Sequence, residues 1–212
     1  QNNETGEHGG IKWYQPRPEV FPNGFYYMQQ QVLKTPLIVH HKYYAPDNDY
    51  QREFKFMGND QVMVPLQQEF WNFIMSQVKN WGVVTVIQDW LASVYELSDE
   101  ATWNVNTGRQ YLLQMGDAAK FAGVNLLYCM PLVSDIISSV ENTAVKYIRV
   151  SDDYSENKLQ WQIGRTAIIH WAIGLAPFKD NFWTNEQQPH HRYGNFTEPN
   201  PELNALVATL ST

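Results

Sequence analysis

Short apolar runs rich in β-branched residues alternate with stretches of helical periodicity along most of this chain. That alternation predicts parallel strands joined by crossover helices, an α/β fold. The first strand is expected over residues 35–41, where Leu37-Ile38-Val39 run into His40-His41. Pro22-Asn23-Gly24 marks a turn ahead of it, and Phe25, Met28 and Val32 have helical spacing. Residues 43–50 read as a loop of aromatic and acidic groups.

A helix is predicted over residues 65–80, with Phe70, Ile74, Val78 and Trp81 on one face. Gly82 leads to a strand over 83–87, closed by Gln88-Asp89-Trp90. A second long helix is expected near 109–121, striped by Tyr111, Met115, Ala118 and Ala122, and Gly123 opens a strand over 124–130. Residues 134–140 connect to a strand over 144–150, which meets Ser151-Asp152-Asp153. Residues 161–172 read as mostly helical, with Ile163 and Ala167 inward, and 174–180 as another strand end with its loop. Asn200-Pro201-Glu202 has the form of a helix start: a capping Asn, Pro at the first helical position, an acid in the first turn. Leu203, Leu206, Val207 and Leu210 are expected to form its buried face.

These elements make about five strand–helix units, against eight in a complete (β/α)8 TIM-type barrel of roughly 250 residues. The expected architecture is therefore part of such a barrel, five to six units over residues 21–212, behind a polar segment over 1–20. An open part-barrel exposes sheet edges and an apolar face. Its expected partner is the remainder of a longer chain of its own or a further copy in a homo-oligomer.

Composition narrows the class. The chain has 212 residues, 43% hydrophobic and 17% charged, which is globular rather than disordered. Net charge is −7 and the 15 Lys and Arg are scattered, so nucleic acid is not an expected partner. No apolar run approaches the ~18–20 residues of a membrane helix, so no membrane association is expected. Aromatic content is 14%, with 8 Trp and 12 Tyr. These rings serve either a large aromatic core or a carbohydrate-binding cleft, where flat apolar faces stack on sugars. The lone Cys129 rules out an internal disulfide. Two Asn-x-Thr sequons, at Asn3 and Asn195, point to glycosylation and a secreted or extracellular protein.

Active sites of such barrels form at the C-terminal ends of the strands. The residues expected there are His40, His41, Lys42, Tyr43 and Tyr44 after the first strand, and Gln88, Asp89 and Trp90 after the second. Met130, Ser134 and Asp135 follow the third; Arg149, Ser151, Asp152 and Asp153 the fourth; Lys179, Asp180 and Trp183 the fifth. Each acid alone is as well explained by helix capping. Their recurrence at successive ends points to the paired carboxylates that glycosidic cleavage requires. Asp152 and Asp153 are neighbours that point different ways, so the pair needs a second strand, and Asp89 is the candidate. The spacing of His and Cys offers no metal motif, and adjacent His40 and His41 face opposite sides of a strand. No metal or other cofactor is expected, and Cys129 reads as core.

Tyr128-Cys129-Met130, followed by Arg149-Val150-Ser151-Asp152-Asp153-Tyr154, resembles the raffinose synthase and alkaline α-galactosidase branch of glycoside hydrolase family 36, in clan D. Phe21-Pro22-Asn23-Gly24 with Leu37-Ile38-Val39-His40 is similar to the family's approach to an earlier barrel strand. The resemblance implies that Asp153 is the acid/base with Arg149 upstream, and Asp152 the fallback. It also implies Lys-x-Asp at the end of the strand over 83–88. Val84 and Val86 stand there instead, and Asp89 comes later.

The resulting expectation is a hydrolase of α-linked sugars, α-galactosidase-like and retaining, with Asp153 as acid/base and Asp89 as nucleophile. Tyr43, Tyr44, Trp90 and Trp183 are expected to shape sugar subsites, and Lys179 and Asp180 to hold hydroxyls. The alternative is a catalytically inactive barrel that serves as a glycan-binding or structural component of an extracellular assembly. A metal-dependent hydrolase or isomerase is the third reading.

Overall fold

A computed structural model of the protein describes residues 9–96, 98, 104–154, 160–187 and 197–210. The chain divides into two compact units, one ending at Val145 and the other beginning at Lys146. Both are α/β in construction, with parallel strands connected by helices.

Unit one opens on the helical turn α1, Gly24–Tyr27, which continues as a π-helix over Met28–Leu33. β1 (Leu37–His41) then leads to a small antiparallel hairpin of β2 (Phe56–Gly58) and β3 (Met63–Pro65). The hairpin is absent from the sequence reading. Its turn is fixed by Asn59, whose side-chain oxygen accepts from the amides of Gln61 and Val62. Gly58 has φ +149, and a Cβ there would stand 1.9 Å from the Val62 carbonyl, so only glycine fits.

Next come α2 (Gln68–Asn80), β4 (Val83–Gln88), a short α3 (Leu91–Glu96) and the long α4 (Val105–Ala122). β5 (Asn125–Tyr128) and α5 (Val133–Ser138) complete the unit. Asn104 caps α4 by accepting from the Asn106 amide, and Gly123 ends it at φ +67, in the left-handed conformation that closes many helices.

β4 pairs in parallel with β1 on one side and β5 on the other. The register sets His41 beside Gln88 and Gln88 beside Tyr128. Side chains alternate across a strand, so Val86, Gln88, His41, Leu126 and Tyr128 share one face. α2 and α4 cover it: Trp71 of α2 lies 5.7 Å, ring to ring, from His41 and 5.5 Å from Tyr111 of α4. Phe70, Trp71, Ile74, Met75 and Val78 of α2 are all buried, and each contributes about 1.5–3 kcal/mol by leaving water. The opposite face carries Ile38, His40, Thr85, Ile87 and Leu127. Lys42, Asp89 and Cys129 extend it just past the strand ends.

The described start of the chain belongs to this unit. Ile11 exchanges hydrogen bonds with Tyr43 and Ala45, and the Tyr14 hydroxyl donates to the His40 carbonyl at 2.9 Å.

Unit two contains β6 (Val145–Arg149), α6 (Gln160–Ala172), β7 (Ala176–Phe178) and α7 (Pro201–Leu210). β6 and β7 are parallel, with Arg149 beside Phe178. Ile163, Ala167 and His170 form the buried stripe of α6, as the helical spacing predicts. α7 departs from expectation. Pro201 and Asn204 are its buried residues, while Leu203, Leu206 and Leu210 are 45%, 54% and 75% exposed. An apolar stripe is buried only where a second layer meets it, and the described residues of unit two supply no layer over this one. Asn204 instead turns inward, its side-chain amide donating to the Asn200 carbonyl.

Candidate active site

β4 and β5 both end in a left-handed residue. Trp90 has φ +55 and Met130 φ +50, a conformation uncommon for side chains other than glycine and found where a chain is held for a purpose. The two kinks brace each other: the Cys129 amide donates to the Gln88 carbonyl at 2.9 Å, and the Ala92 amide to the Met130 carbonyl at 2.9 Å. Between them lies Asp89, 8% exposed.

Three donors converge on the Asp89 carboxylate. Oδ2 lies 2.8 Å from His40 Nε2, Oδ1 accepts the Trp90 amide at 2.7 Å, and the Cys129 side chain adds a further hydrogen bond. Burial pushes this carboxyl up, but the His40, Cys129 and Trp90 bonds and the His40 charge outweigh it and hold Asp89 below the usual range. Lys42 lies over the faces of Tyr43 and Trp90, 4.4 and 4.2 Å from their ring centres. Burial lowers the Lys42 pKa and the Asp89 charge pulls it back up.

Behind this cluster, on the helix-covered face, His41 Nδ1 lies 2.7 Å from Gln88 Oε1 and Nε2 lies 2.8 Å from the Tyr44 hydroxyl. Burial drives the His41 pKa down to about 4, with the Gln88 bond opposing and His40 assisting. The two adjacent histidines thus face opposite sides, as strand alternation requires. Among the described residues no group of three or more His, Cys, Asp and Glu could hold a metal ion.

In unit two, Arg149 organises the end of β6. Its Nη2 pairs with Asp153 Oδ1, its Nη1 lies 3.8 Å from Asp180 Oδ1, and its Nε donates to the Ser151 carbonyl at 2.9 Å. Asp180 accepts the Tyr154 amide at 2.7 Å and its own amide donates to Ser151 Oγ at 2.8 Å. The Tyr154 hydroxyl donates to Glu198, which is buried and also accepts the Asn200 amide at 2.9 Å. Lys179 is buried, with its ammonium 5.0 Å from the centre of the Phe182 ring and 5.5 Å from that of Tyr154. Burial lowers its pKa against the pull of Asp180 and Glu198. Trp183 packs 6.3 Å from the Tyr154 ring.

The expected site residues are placed unevenly. Asp89, Lys42 and Trp90 come together at the end of β4, and Arg149, Asp153, Lys179 and Asp180 at the ends of β6 and β7. Asp152 is exposed and the Asp153 side chain is 78% exposed. Tyr44 is not a cleft residue: it has no exposed surface and packs edge-on against Phe56, Phe70 and Tyr50. Tyr43 is buried, with Lys42 over its ring. Asp135 is a helix cap, accepting the Leu132 amide at 2.8 Å and the Tyr95 hydroxyl at 2.7 Å. Asn3 and Asn195 lie outside the described residues. His40, expected at this strand end, binds Asp89; two participants are new, Cys129 on Asp89 and Glu198, which accepts from Tyr154.

The Lys-x-Asp question has a geometric answer. Val84 and Val86 share the face of Gln88, which binds His41 on the helix side. Asp89 has the opposite parity and joins His40 on the other face. The valines therefore point away from the face that carries the carboxylate.

The parallel strands and their helical crossovers define an α/β protein. No protein-family model and no curated protein matches the chain. Solved structures do. A variant of the GH27 β-L-arabinopyranosidase from Geobacillus stearothermophilus, in complex with arabinose, superposes with a TM-score of 0.61 and 13% identity. The wild-type enzyme gives 0.58, also at 13% identity. Each match covers 93% of this chain and 52% of the enzyme. The α-galactosidase from Thermus thermophilus in complex with stachyose gives 0.57 at 14% identity, over 99% of this chain and 51% of that one. The chain thus spans about half the length of the structures it matches.

Proposed function

We propose that this chain carries part of the catalytic barrel of a glycoside hydrolase acting on α-linked, galactoside-like sugars. The observation that carries the reading is Asp89: a buried carboxylate held ionised at a kinked strand end, on the face opposite the helices, beside a cation and an indole. In a retaining mechanism a carboxylate in that state serves as nucleophile, while a second protonates the leaving oxygen. We assign Asp89 to the first role and Asp153 to the second, with Asp152 as its alternative. The resemblance to glycoside hydrolase family 36 around Arg149-Val150-Ser151-Asp152-Asp153, and the fold shared with sugar-cleaving enzymes, support the assignment.

Asp89→Asn and Asp153→Asn are each expected to lower kcat on a nitrophenyl α-galactoside by about 10²–10⁴. Added azide should restore turnover differently in the two, giving glycosyl azides of opposite anomeric configuration. Near-normal turnover by either variant would remove that residue from the mechanism. The engagement of Asp89 by three donors favours a second reading, an inactive barrel that holds glycans. Sugar binding without release of product sugar would establish that reading instead.

A secretory route is part of the proposal. Expressed through a eukaryotic secretory pathway, the chain should lose mass on peptide-N-glycosidase treatment, at Asn195, Asn3 or both. An unchanged mass would count against it.

A further inference from the structure

The Lys42 ammonium is held by two π faces, Tyr43 and Trp90. Among the described residues, no carboxylate forms an ion pair with it and no acceptor hydrogen-bonds to it. An ammonium has three N–H donors, and a carboxylate about four lone-pair sites. Asp89 has three of its sites engaged, by His40, the Trp90 amide and Cys129. Trp90 joins the two groups in one local cluster, its ring 4.2 Å from the Lys42 ammonium and its amide 2.7 Å from the Asp89 carboxylate, so unused donors and an unused acceptor belong to the same cluster.

Few groups suit both. A carboxylate would be drawn to Lys42 and repelled by Asp89. An apolar group would leave the half-buried ammonium without an acceptor, which is costly. A hydroxyl both accepts and donates, so it satisfies the two at once.

We propose that Lys42 is a specificity-determining residue that binds a hydroxyl oxygen of a neutral sugar, the same hydroxyl donating to Asp89. The proposal rests on the glycosidase reading only in taking the ligand to be a sugar; it requires binding, not turnover. Trp90 has a structural part in it. Its left-handed backbone turns the indole across Lys42, and the His40 ring meets that indole edge-on at 5.6 Å. The lysine head is thereby kept over the indole of the residue next to Asp89.

The test is calorimetric titration of the purified chain with galactose, arabinose and galacturonate, on wild type, Lys42→Met and Lys42→Arg. Met keeps the length and apolar packing of lysine and removes the donors. Wild type is expected to bind at least one neutral sugar, and galacturonate at least about tenfold more weakly. Lys42→Met should weaken neutral-sugar binding about 10–100-fold, the range for a hydrogen bond to a charged group. Lys42→Arg should recover part of the loss. Saturation of wild type by no neutral sugar, tighter binding of galacturonate, or a folded Lys42→Met that binds within twofold of wild type would each overturn the proposal. Should Lys42→Met not fold, the Lys42 Nζ resonance of isotope-labelled wild type decides: it should move on adding galactose, and a static signal overturns the idea. Hydrolysis is measured separately. Binding without hydrolysis removes the enzyme reading and leaves this one standing.

Discussion

At the scale of the residue, the behaviour of Asp89 depends on what donates to it. Its carboxyl is pushed up by burial and held down by its partners, so a lost partner lets burial prevail. A carboxylate with a lowered pKa adds stability that is fully present above its unfolded value, near 4, and lost as pH falls through the folded value. His40→Ala should therefore be less stable than wild type at pH 7, by about 1–3 kcal/mol, and should lose less on acidification. Urea unfolding at pH 7 and at low pH measures both effects, and any activity should show its acid limb moved to higher pH. His41 gives the complementary case. Its folded pKa of about 4 lies below the unfolded 6.5, so the unfolded chain binds more protons between those values. The contribution is present above pH 6.5 and is lost as pH falls towards 4. Unfolding free energy should drop by about 2 kcal/mol between pH 7 and pH 5 from this group alone, at 1.36 kcal/mol per pH unit. A His41→Phe variant that keeps the full drop would refute that origin. Strand alternation makes it legible in the sequence that only one of His40 and His41 faces a given side. Which one meets an acid depends on the register between strands, and register is a property of two segments that neither states alone. Cys129 reads as core for the same reason: its partner lies just past the end of another strand, 40 positions away. Tyr44 is the converse, an aromatic in a polar loop whose neighbours in space are Phe56 and Phe70.

At the scale of the element, periodicity locates what is long and half-buried. The helices predicted near 65–80 and 109–121 correspond to Gln68–Asn80 and Val105–Ala122, and the five strands fall where the apolar runs are. The hairpin of Phe56–Gly58 and Met63–Pro65 is too short to carry a period of its own, and its signal is the Gly58-Asn59-Asp60 turn. The stripe on Pro201–Leu210 is legible as a stripe; its burial is not, because burial belongs to the partner surface. Close packing between elements is equally silent in sequence, and Gly116 shows it. A Cβ there would fall 1.5 Å from the Asn142 side-chain nitrogen. Asn142 cannot retreat without cost, since it donates to the Leu112 carbonyl at 3.3 Å and accepts the Ala144 amide at 3.1 Å. Gly116→Ala normally favours a helix by roughly 1 kcal/mol. Here overpacking should prevail and destabilise the chain by about 1–3 kcal/mol, seen as a lower unfolding midpoint; an unchanged or higher midpoint would mean that the joint yields.

At the scale of the whole molecule, about five parallel strand–helix units are legible from alternation alone, and five strands with parallel partners lie among the described residues. The exposed apolar surface is the other large-scale feature. Ile168, Ile169 and Trp171 are 72%, 61% and 72% exposed on Gln160–Ala172, and the same unit exposes Leu203, Leu206 and Leu210. No described helix is long and apolar enough to cross a membrane. One further consequence concerns Cys129. It is the chain's one thiol, it is buried, and it is bonded to Asp89. Thiol chemistry performed on this protein is therefore confined to a single address, and that address adjoins the carboxylate. A thiol-reactive dye would act as a stopwatch on the site, its mole-for-mole uptake timing how often the end of β5 opens and how far an occupant delays it.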